Sequence, residues 1–391
     1  MNPNTKALPF FKPLLGRREI AAAARVLRSG WLTTGPEALA FEDEFASFLQ
    51  VDDLRALCVN SATSGLHLAL EAVGVGPGDL VAVPSLTFTA TAEVVRYLGA
   101  DPVFVDSESE SGNMDPRALD SACHNAKRNG RRIKAVIPVH LAGKVCDMES
   151  INGVLAGSET AVIEDAAHAF PSRTDMGSAG TLGDIGVFSF YATKTITTGE
   201  GGMVVTRNAV YAERMRLMRL HGIDKAVWNR YSAGAARRSW EYDVIAPGFK
   251  YNMTDLAAAV GRVQLSRADH LHELRVKLAH RYIDALGGLD GLELPVGGPD
   301  HAWHLFIIRL PDKEMRNRSA DMLYDKGIGS SVHFIPLHRM EYWKNRYKLN
   351  PADFPVAENL ADRILSLPLW PGMKRRDQDR VIRTVRESLR G

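Results

Sequence analysis

Hydrophobic positions along the chain switch repeatedly between two spacings. From Glu37 to Leu49 apolar residues recur every three to four positions, as on one face of a helix, whereas Ala56 to Asn60 (ALCVN) is a short unbroken apolar run of strand type. The alternation continues. A helix is expected over Ser64 to Val73, a turn at the Gly-Pro-Gly-Asp of Gly76 to Asp79, a strand over Asp79 to Pro84 and a helix over Ala90 to Leu98. Then follow a strand at Pro102 to Asp106, a helix near Pro116 to Lys127, a strand at Lys134 to His140, a helix near Met148 to Leu155 and a strand at Thr160 to Ala167. Gly186 to Phe190 and Gly201 to Thr206 form a further strand pair. Near-continuous Val/Ile runs between amphipathic helices predict an α/β fold, a doubly wound and mostly parallel sheet covered on both faces.

From Thr254 to Leu286 helical spacing takes over, followed by a strand at His304 to Leu310 and a helix near Ser319 to Lys326. This predicts a large α/β domain over residues 1–250, then a linking helix and a smaller C-terminal α+β domain over residues 251–391, with the N-terminal segment packing on the smaller one. No internal repeat is present. Gly222 to Lys250 is a long irregular stretch rich in Arg, Tyr and Trp, and a loop of that length is usually functional or disordered.

Composition narrows the picture. With 391 residues, 45% hydrophobic, 24% charged and a formal net charge of +2, the chain reads as a soluble globular protein without a nucleic-acid footprint. The short clusters at Lys127 to Arg132 and Lys374 to Arg376 read as solvated faces. Cys58, Cys123 and Cys146 are widely spaced, which offers neither a disulfide framework nor a thiolate metal site and points to a reducing compartment. The N-terminus has no apolar leader and no run reaches the ~20 apolar residues that span a bilayer, so a cytoplasmic location without membrane insertion is expected.

Candidate chemistry collects where strands end, the edge at which open α/β sheets bind ligands. VIED delivers Asp165 with His168 three residues on; a carboxylate there can bind a metal, act as a base, pair with a cationic nitrogen, or cap a turn or helix. Thr63 and Ser64 lie between a strand and a helix, where N–H groups and hydroxyls cradle a phosphate or simply cap the helix. Phe88 follows another strand and is either a core residue or a wall for a planar ring. In FSFYATKTITTGEGG, Lys194 leaves an apolar strand with Ser189 five residues before it. Desolvation lowers the pKa of such a lysine and makes it a candidate Schiff-base nucleophile; the plain alternative is a lysine that reaches solvent. Together a phosphate cradle, an aromatic wall, a carboxylate and a lysine are the parts that hold pyridoxal 5′-phosphate (PLP), whose ring nitrogen needs an acidic partner. No metal-ligand spacing accompanies them. A nicotinamide-dependent short-chain reductase fits less well: the spacing is Y-x-x-K at Tyr191 and Lys194, and no N-terminal glycine fingerprint precedes it. A non-enzymatic binding protein would not need a lysine at this strand end.

The segments GWLTTGP, NSATSGLHLAL, GPGDLVAVPSLTFTATA, GADPVFVD, IPVHLAG, VIEDAAHA, GTLGDIGVFSFYATKTITTGEGGMVVT, RLHG and GFKYNMTDLAAAVGRVQL run in order from about residue 12 to about residue 265. They resemble the DegT/DnrJ/EryC1/StrS family of PLP-dependent sugar-nucleotide aminotransferases, of fold type I (aspartate aminotransferase-like). HAWHLFIIRL, GIGSSVHFIPLH and SLPLWPGM are similar to the UDP-4-amino-4-deoxy-L-arabinose type within it. The resemblance implies that Lys194 carries the cofactor and shuttles the proton, that Asp165 pairs with the ring nitrogen, that His168 lies beside the ring and that Phe88 stacks on it. Thr63, Ser64 and Ser189 would bind the phosphate, with Asn252 of a neighbouring subunit, which implies a homodimer with shared active sites. Thr33, Thr34, Arg230, Tyr231, His333 and His338 become candidate contacts to the sugar or diphosphate. The reaction implied moves an amino group from L-glutamate to a keto group, at C4, of a nucleotide-linked sugar, with C3 or a non-sugar cyclic ketone as the alternative. Relatives that deoxygenate or dehydrate sugars carry His in place of the lysine, so Lys194 argues against that chemistry. Thr195 departs from the Asn that many relatives have after the lysine.

Overall fold

The computed structural model describes residues 7–224 and 241–390. A seven-stranded sheet has the order β1-β9-β8-β5-β4-β2-β3. Its strands are β1 (Arg55–Val59), β2 (Leu80–Pro84), β3 (Asp101–Val105), β4 (Ile133–Val136), β5 (Ala161–Asp165), β8 (Ile185–Ser189) and β9 (Gly202–Thr206). Only β9 runs against the others, pairing antiparallel with both β8 and β1. The two short strands β6 (Arg173–Thr174) and β7 (Gly177–Ser178) form a separate ribbon. In β2, β5 and β8 all five residues are buried, the signature of strands covered on both faces.

Helices supply those two layers, and side chains alternate between them with the two-residue period of a strand. On one face α3 (Ala62–Ala72), α4 (Ala90–Tyr97) and α7 (Ala209–Met218) pack Leu66, Leu70, Val94 and Met215 against Val187 and Val204. On the other, α2 (Pro36–Leu49), α5 (Pro116–Arg128), α6 (Met148–Val154) and α8 (Asp255–Leu265) enclose Phe41, Phe45, Met114 and Ile151 with Phe188 and Met203. The remaining N-terminal helix, α1 (Arg17–Ser29), lies on α8 through Ala22, Val26 and Ala259.

A further apolar cluster forms around β10 (Phe306–Arg309) and β11 (Ile364–Leu367), an antiparallel pair. Helices α9 (Ala268–Leu286), α10 (Lys313–Asp325) and α13 (Arg375–Ser388) contribute Tyr282, Leu286, Leu323, Val381 and Val385 to it. The short helices α11 (Glu341–Tyr347) and α12 (Pro355–Arg363) complete the C-terminal portion, and Leu8 joins this portion by bridging to Ile328.

Two expected elements come out differently. The strand expected to reach His140 ends at Val136, because Pro138 has no N–H for the ladder; its carbonyl still accepts from Asp165 N at 2.9 Å, and Val139 forms a single bridge to Asp165. The helix expected near Ser319 begins six residues earlier, at Lys313, where Asp312 caps it by accepting from Met315 N. Helices also form at Arg17–Ser29, Ala209–Met218 and Arg375–Ser388, for which the apolar pattern set no expectation. Most of Gly222 to Lys250, with Arg230 and Tyr231, lies outside the described residues.

Helix α3 approaches the sheet closely because Gly65 has no side chain. A Cβ there would stand 2.7 Å from Val187 Cγ1 and 2.9 Å from Val204 Cγ2. Gly65→Ala gains some helix propensity but overpacks this contact, so it should lower stability by about 1–2 kcal/mol. Urea denaturation checks this; an unchanged or raised midpoint would show that the helix shifts without penalty.

Candidate active site

Four strand ends, those of β1, β2, β5 and β8, deliver side chains to one edge of the sheet. After β1 the chain enters α3, whose cap is Ser61: its Oγ accepts from Ser64 N at 3.1 Å. The first-turn N–H groups of Ala62 and Thr63 have no acceptor among the described residues, which leaves a positive helix end open to an anion. Thr63 is half-buried beside them. Ser64 Oγ donates to Asn60 Oδ1 at 2.6 Å, so that hydroxyl is tied to the turn as well as facing this end.

After β5, Asp165 is buried. Its Oδ2 accepts from Thr91 Oγ1 at 2.9 Å and its Oδ1 from Ala167 N at 3.2 Å. Burial raises its pKa; the Ala167 and Thr91 hydrogen bonds and the charge of Lys194 oppose the rise. The preceding residue shows the contrast. Glu164 points to the opposite side of the strand and is saturated, accepting from Gly180 N, Leu182 N and Gly183 N at 2.6–2.7 Å and facing His140 Nε2 at 2.9 Å. Among the described residues Asp165 has two donors and no arginine, so it keeps capacity for a further cationic or N–H partner.

After β8, Ser189 Oγ accepts from Tyr191 N at 3.3 Å, and the turn places Lys194 beside Asp165. Burial lowers the Lys194 pKa to about 8, against the pull of the Asp165 charge. The glycines that follow permit the return. Gly199 has φ +86°, and a Cβ on Gly202 would stand 2.7 Å from Phe188 O and 2.9 Å from Ala62 N.

Three histidines surround this pair. His168 is buried, and its Nδ1 accepts from Ala142 N at 3.3 Å, which assigns the ring proton of the neutral imidazole to Nε2. Burial first, then the nearby charges of Lys194 and His333, holds its pKa well below the usual histidine range. Its ring lies 4.4 Å from His304 and 5.9 Å from Phe334. His304 is buried with no hydrogen-bond partner for Nδ1 among the described residues. His333 Nδ1 pairs with Ser366 Oγ at 2.9 Å, and burial lowers its pKa to about 4. Phe88 is not a core residue: it is 58% exposed, with Phe334 at 6.0 Å.

The other sequence candidates fall apart from this cluster or beside it. Thr33 is exposed, whereas Thr34 Oγ1 donates to Met253 O at 2.5 Å and accepts from Asn252 Nδ2 at 2.7 Å. Asn252 also accepts from Lys250 Nζ at 2.6 Å and bridges to Val59, next to the entry of α3. His338, expected to contact substrate, does not face the cleft. It is fully buried between Ser85 and Glu358 with Phe354 stacked on it at 4.6 Å, and no surface of the ring is left for a ligand.

Thr91, His304 and Phe334 were not singled out from sequence. Thr91 was the most accessible of these, since it stands three residues after Phe88 on the same incipient helix. A cleft of about 350 Å³ adjoins the cluster at Ala142 and His333. Its lining includes the carboxylates of Glu108, Glu110 and Asp147, while Lys144 is paired with Asp300 and Arg309 donates to the carbonyls of Ser109 and Glu110. That charge balance does not suit a diphosphate.

A buried carboxylate with spare acceptor capacity, an amine of lowered pKa and an open helix N-terminus fit a ligand that combines a cationic ring nitrogen, a carbonyl and a phosphate. PLP has all three. Comparison with known proteins agrees. The family model for the DegT/DnrJ/EryC1/StrS aminotransferase family matches residues 13–386. The spore coat polysaccharide biosynthesis protein SpsC of Bacillus subtilis is 43% identical over 390 residues, covering 98% of this chain and 97% of that one. Among solved structures, Spr1654 of Streptococcus pneumoniae in its PLP-form superposes with a TM-score of 0.88 at 31% identity, covering 98% of this chain and 99% of that one. The sugar aminotransferase CalS13 of Micromonospora echinospora gives 0.84 at 27% identity, with 97% and 99% covered. No helix among the described residues is long and apolar enough to cross a membrane. With the fold type I architecture, the site and the match over nearly the whole chain in hand, the protein belongs to the DegT/DnrJ/EryC1/StrS aminotransferase family and is a PLP-dependent aminotransferase.

Proposed function

We propose that the enzyme transfers an amino group from L-glutamate to the C4 keto group of a nucleotide-linked sugar destined for a polysaccharide. The observation that carries the amino-transfer reading is that the half-buried Lys194 and the buried Asp165 lie near enough for each charge to act on the other. The sugar and polysaccharide parts draw on the relatives, whose names include sugar aminotransferases and a protein of spore coat polysaccharide biosynthesis. Amination at C3, or of a non-sugar cyclic ketone, is the alternative within the same chemistry.

When bound, PLP supplies an electron sink for negative charge at the donor Cα. The chain's own groups then have separate tasks. Asp165, ionised, holds the ring nitrogen in its protonated form. The N–H groups of Ala62 and Thr63, with the hydroxyls of Thr63, Ser64 and Ser189, receive the phosphate, and Asn252 of a second subunit completes the cradle in a homodimer with shared sites. His168 presents Nε2–H beside the ring, and Phe88 covers one face of it. Lys194 anchors the cofactor between turnovers. With the cofactor bound to the donor, the neutral Nζ would accept the proton from the donor Cα, and in the second half-reaction it would return a proton to the sugar carbon that receives nitrogen. The acidic cleft beside His333 is unfavourable for a diphosphate, which leaves Thr33, Thr34, Arg230 and Tyr231 as the candidate nucleotide contacts, the last two outside the described residues. Three unpaired cysteines accord with a reducing, cytoplasmic setting.

Two outcomes test this reading. Purified enzyme given glutamate and a panel of UDP-, dTDP- and GDP-linked 4-keto and 3-keto sugars should release 2-oxoglutarate with a 4-keto member; turnover only with 3-keto sugars or with a cyclitol ketone would replace the substrate assignment. Lys194 is the nucleophile only when neutral, and its lowered pKa places that form above about pH 8. The rate at which cofactor-free protein captures PLP should therefore rise through about pH 8 and level off beyond it; a rise centred near 10.5, the ordinary lysine value, would show that the amine is not desolvated.

A further inference from the structure

The segment carrying Phe88 and Thr91 is tied to the C-terminal portion through one histidine. Ser85 follows directly on β2. Its N–H donates to Val105 O and its carbonyl accepts from Leu337 N, both at 2.8 Å. Its hydroxyl makes a short hydrogen bond with His338 Nδ1. On the other side of the ring, His338 Nε2 meets Glu358 Oε1 on α12 at 2.5 Å. Glu358 is itself gripped by Arg339, through Nε at 2.7 Å and Nη2 at 2.5 Å, and Arg339 Nη1 reaches Asp362 at 2.8 Å. A second tie runs from Trp343 Nε1 to Thr89 Oγ1 at 3.2 Å.

The directions of these bonds follow from the groups involved. Arg339 above all keeps Glu358 ionised, down to about pH 2, so Glu358 can only accept. Nε2 of His338 must then donate, which leaves Nδ1 of the neutral ring as an acceptor, and Ser85 must donate to it. Burial keeps the ring neutral against the attraction of Glu358; Arg339 and Asp106 are the other charges that act on it. Ser85 thereby has a fixed rotor, three residues before Phe88 and six before Thr91, whose hydroxyl donates to Asp165.

We propose that Ser85, His338 and Glu358 form a positioning relay for the amino-transfer reaction, holding the 85–91 segment so that Thr91 reaches Asp165 and Phe88 faces the ring. The proposal rests on the roles given above to Asp165 and Phe88. It also gives His338 a task in place of substrate contact. None of the three relay residues touches the reacting atoms; they act through Thr91 and Phe88.

Ser85→Ala is the cleanest perturbation, because it removes only the hydroxyl. In the cofactor-free protein, amide hydrogen exchange over residues 85–98 should quicken while α9 and α13 stay as in the wild type. Asp165 is held by Thr91 and the Ala167 N–H, with the charges of Lys194 and His140 also acting on it; the acid limb is read on the loaded enzyme. Weakening the Thr91 bond leaves the carboxylate less stabilised, raises its pKa and moves the acid limb of kcat to higher pH, by roughly half a unit. Thr91→Val should move it further. His338→Gln should act in the same direction as Ser85→Ala. Ser319→Ala, which removes a buried bond to Ser388 in the C-terminal portion, should lower the melting temperature without moving either readout. The relay is overturned if Ser85→Ala and His338→Gln behave like Ser319→Ala, losing stability with exchange over 85–98 and the acid limb unchanged. If Thr91→Val leaves the limb in place, the role of Asp165 fails instead, and the exchange measurement alone decides the relay.

Discussion

The structure is organised around keeping one carboxylate buried but incompletely satisfied. Moving a charged carboxylate out of water is costly unless donors or cations replace the lost solvent. Asp165 has a hydroxyl, one backbone N–H and the nearby Lys194, enough to retain it in the interior but not enough to exhaust its lone pairs. Burial raises the Asp165 pKa and lowers that of Lys194; the lowering favours the neutral amine, while the Thr91 and Ala167 donors oppose the rise at Asp165. Glu164, one residue earlier, shows the structural alternative: three backbone donors and His140 consume it, and it fixes the 180–183 turn against β5.

Everything else places donors and walls around that pair. Parallel strands align the ends of β1, β2, β5 and β8 at one edge, and Gly65 lets α3 sit close on the sheet beside them. The helix end and the carboxylate then offer opposite charge preferences a short distance apart, which suits a ligand cationic at its ring and anionic at its phosphate. The C-terminal portion contributes from the opposite side. His304, His333 and Phe334 pack around His168, while His338 and Trp343 hold the 85–91 segment.

What the sequence made legible was the sheet and the residues at its strand ends. Period-two and period-3.6 spacing located strands and helices to within a few residues wherever apolar runs were dense, and Asp165 and Lys194 stood out because polar groups close those runs. The limits were physical as well. Pro138 shortened a strand whose composition still read as β. The Ala- and Arg-rich α1 is amphipathic, but its buried face is Glu19, Ala22 and Val26, so few large apolar side chains mark it. His338 sits in HFIPLH with His333, and nothing local separates the imidazole that faces Lys194 from the one sealed between Ser85 and Glu358. Thr91 becomes meaningful only when β2 and β5 are brought to either side of β4, a relation of topology that spacing along the chain does not carry.

Lys194 is the residue proposed to carry PLP. Reduction of the PLP-loaded enzyme with borohydride, followed by proteolysis and mass spectrometry, reads this directly. A stable phosphopyridoxyl group is expected on the peptide that contains Lys194 and on no other lysine peptide, and none in Lys194→Ala. An adduct on a different lysine, or retention of the adduct in Lys194→Ala, would contradict it.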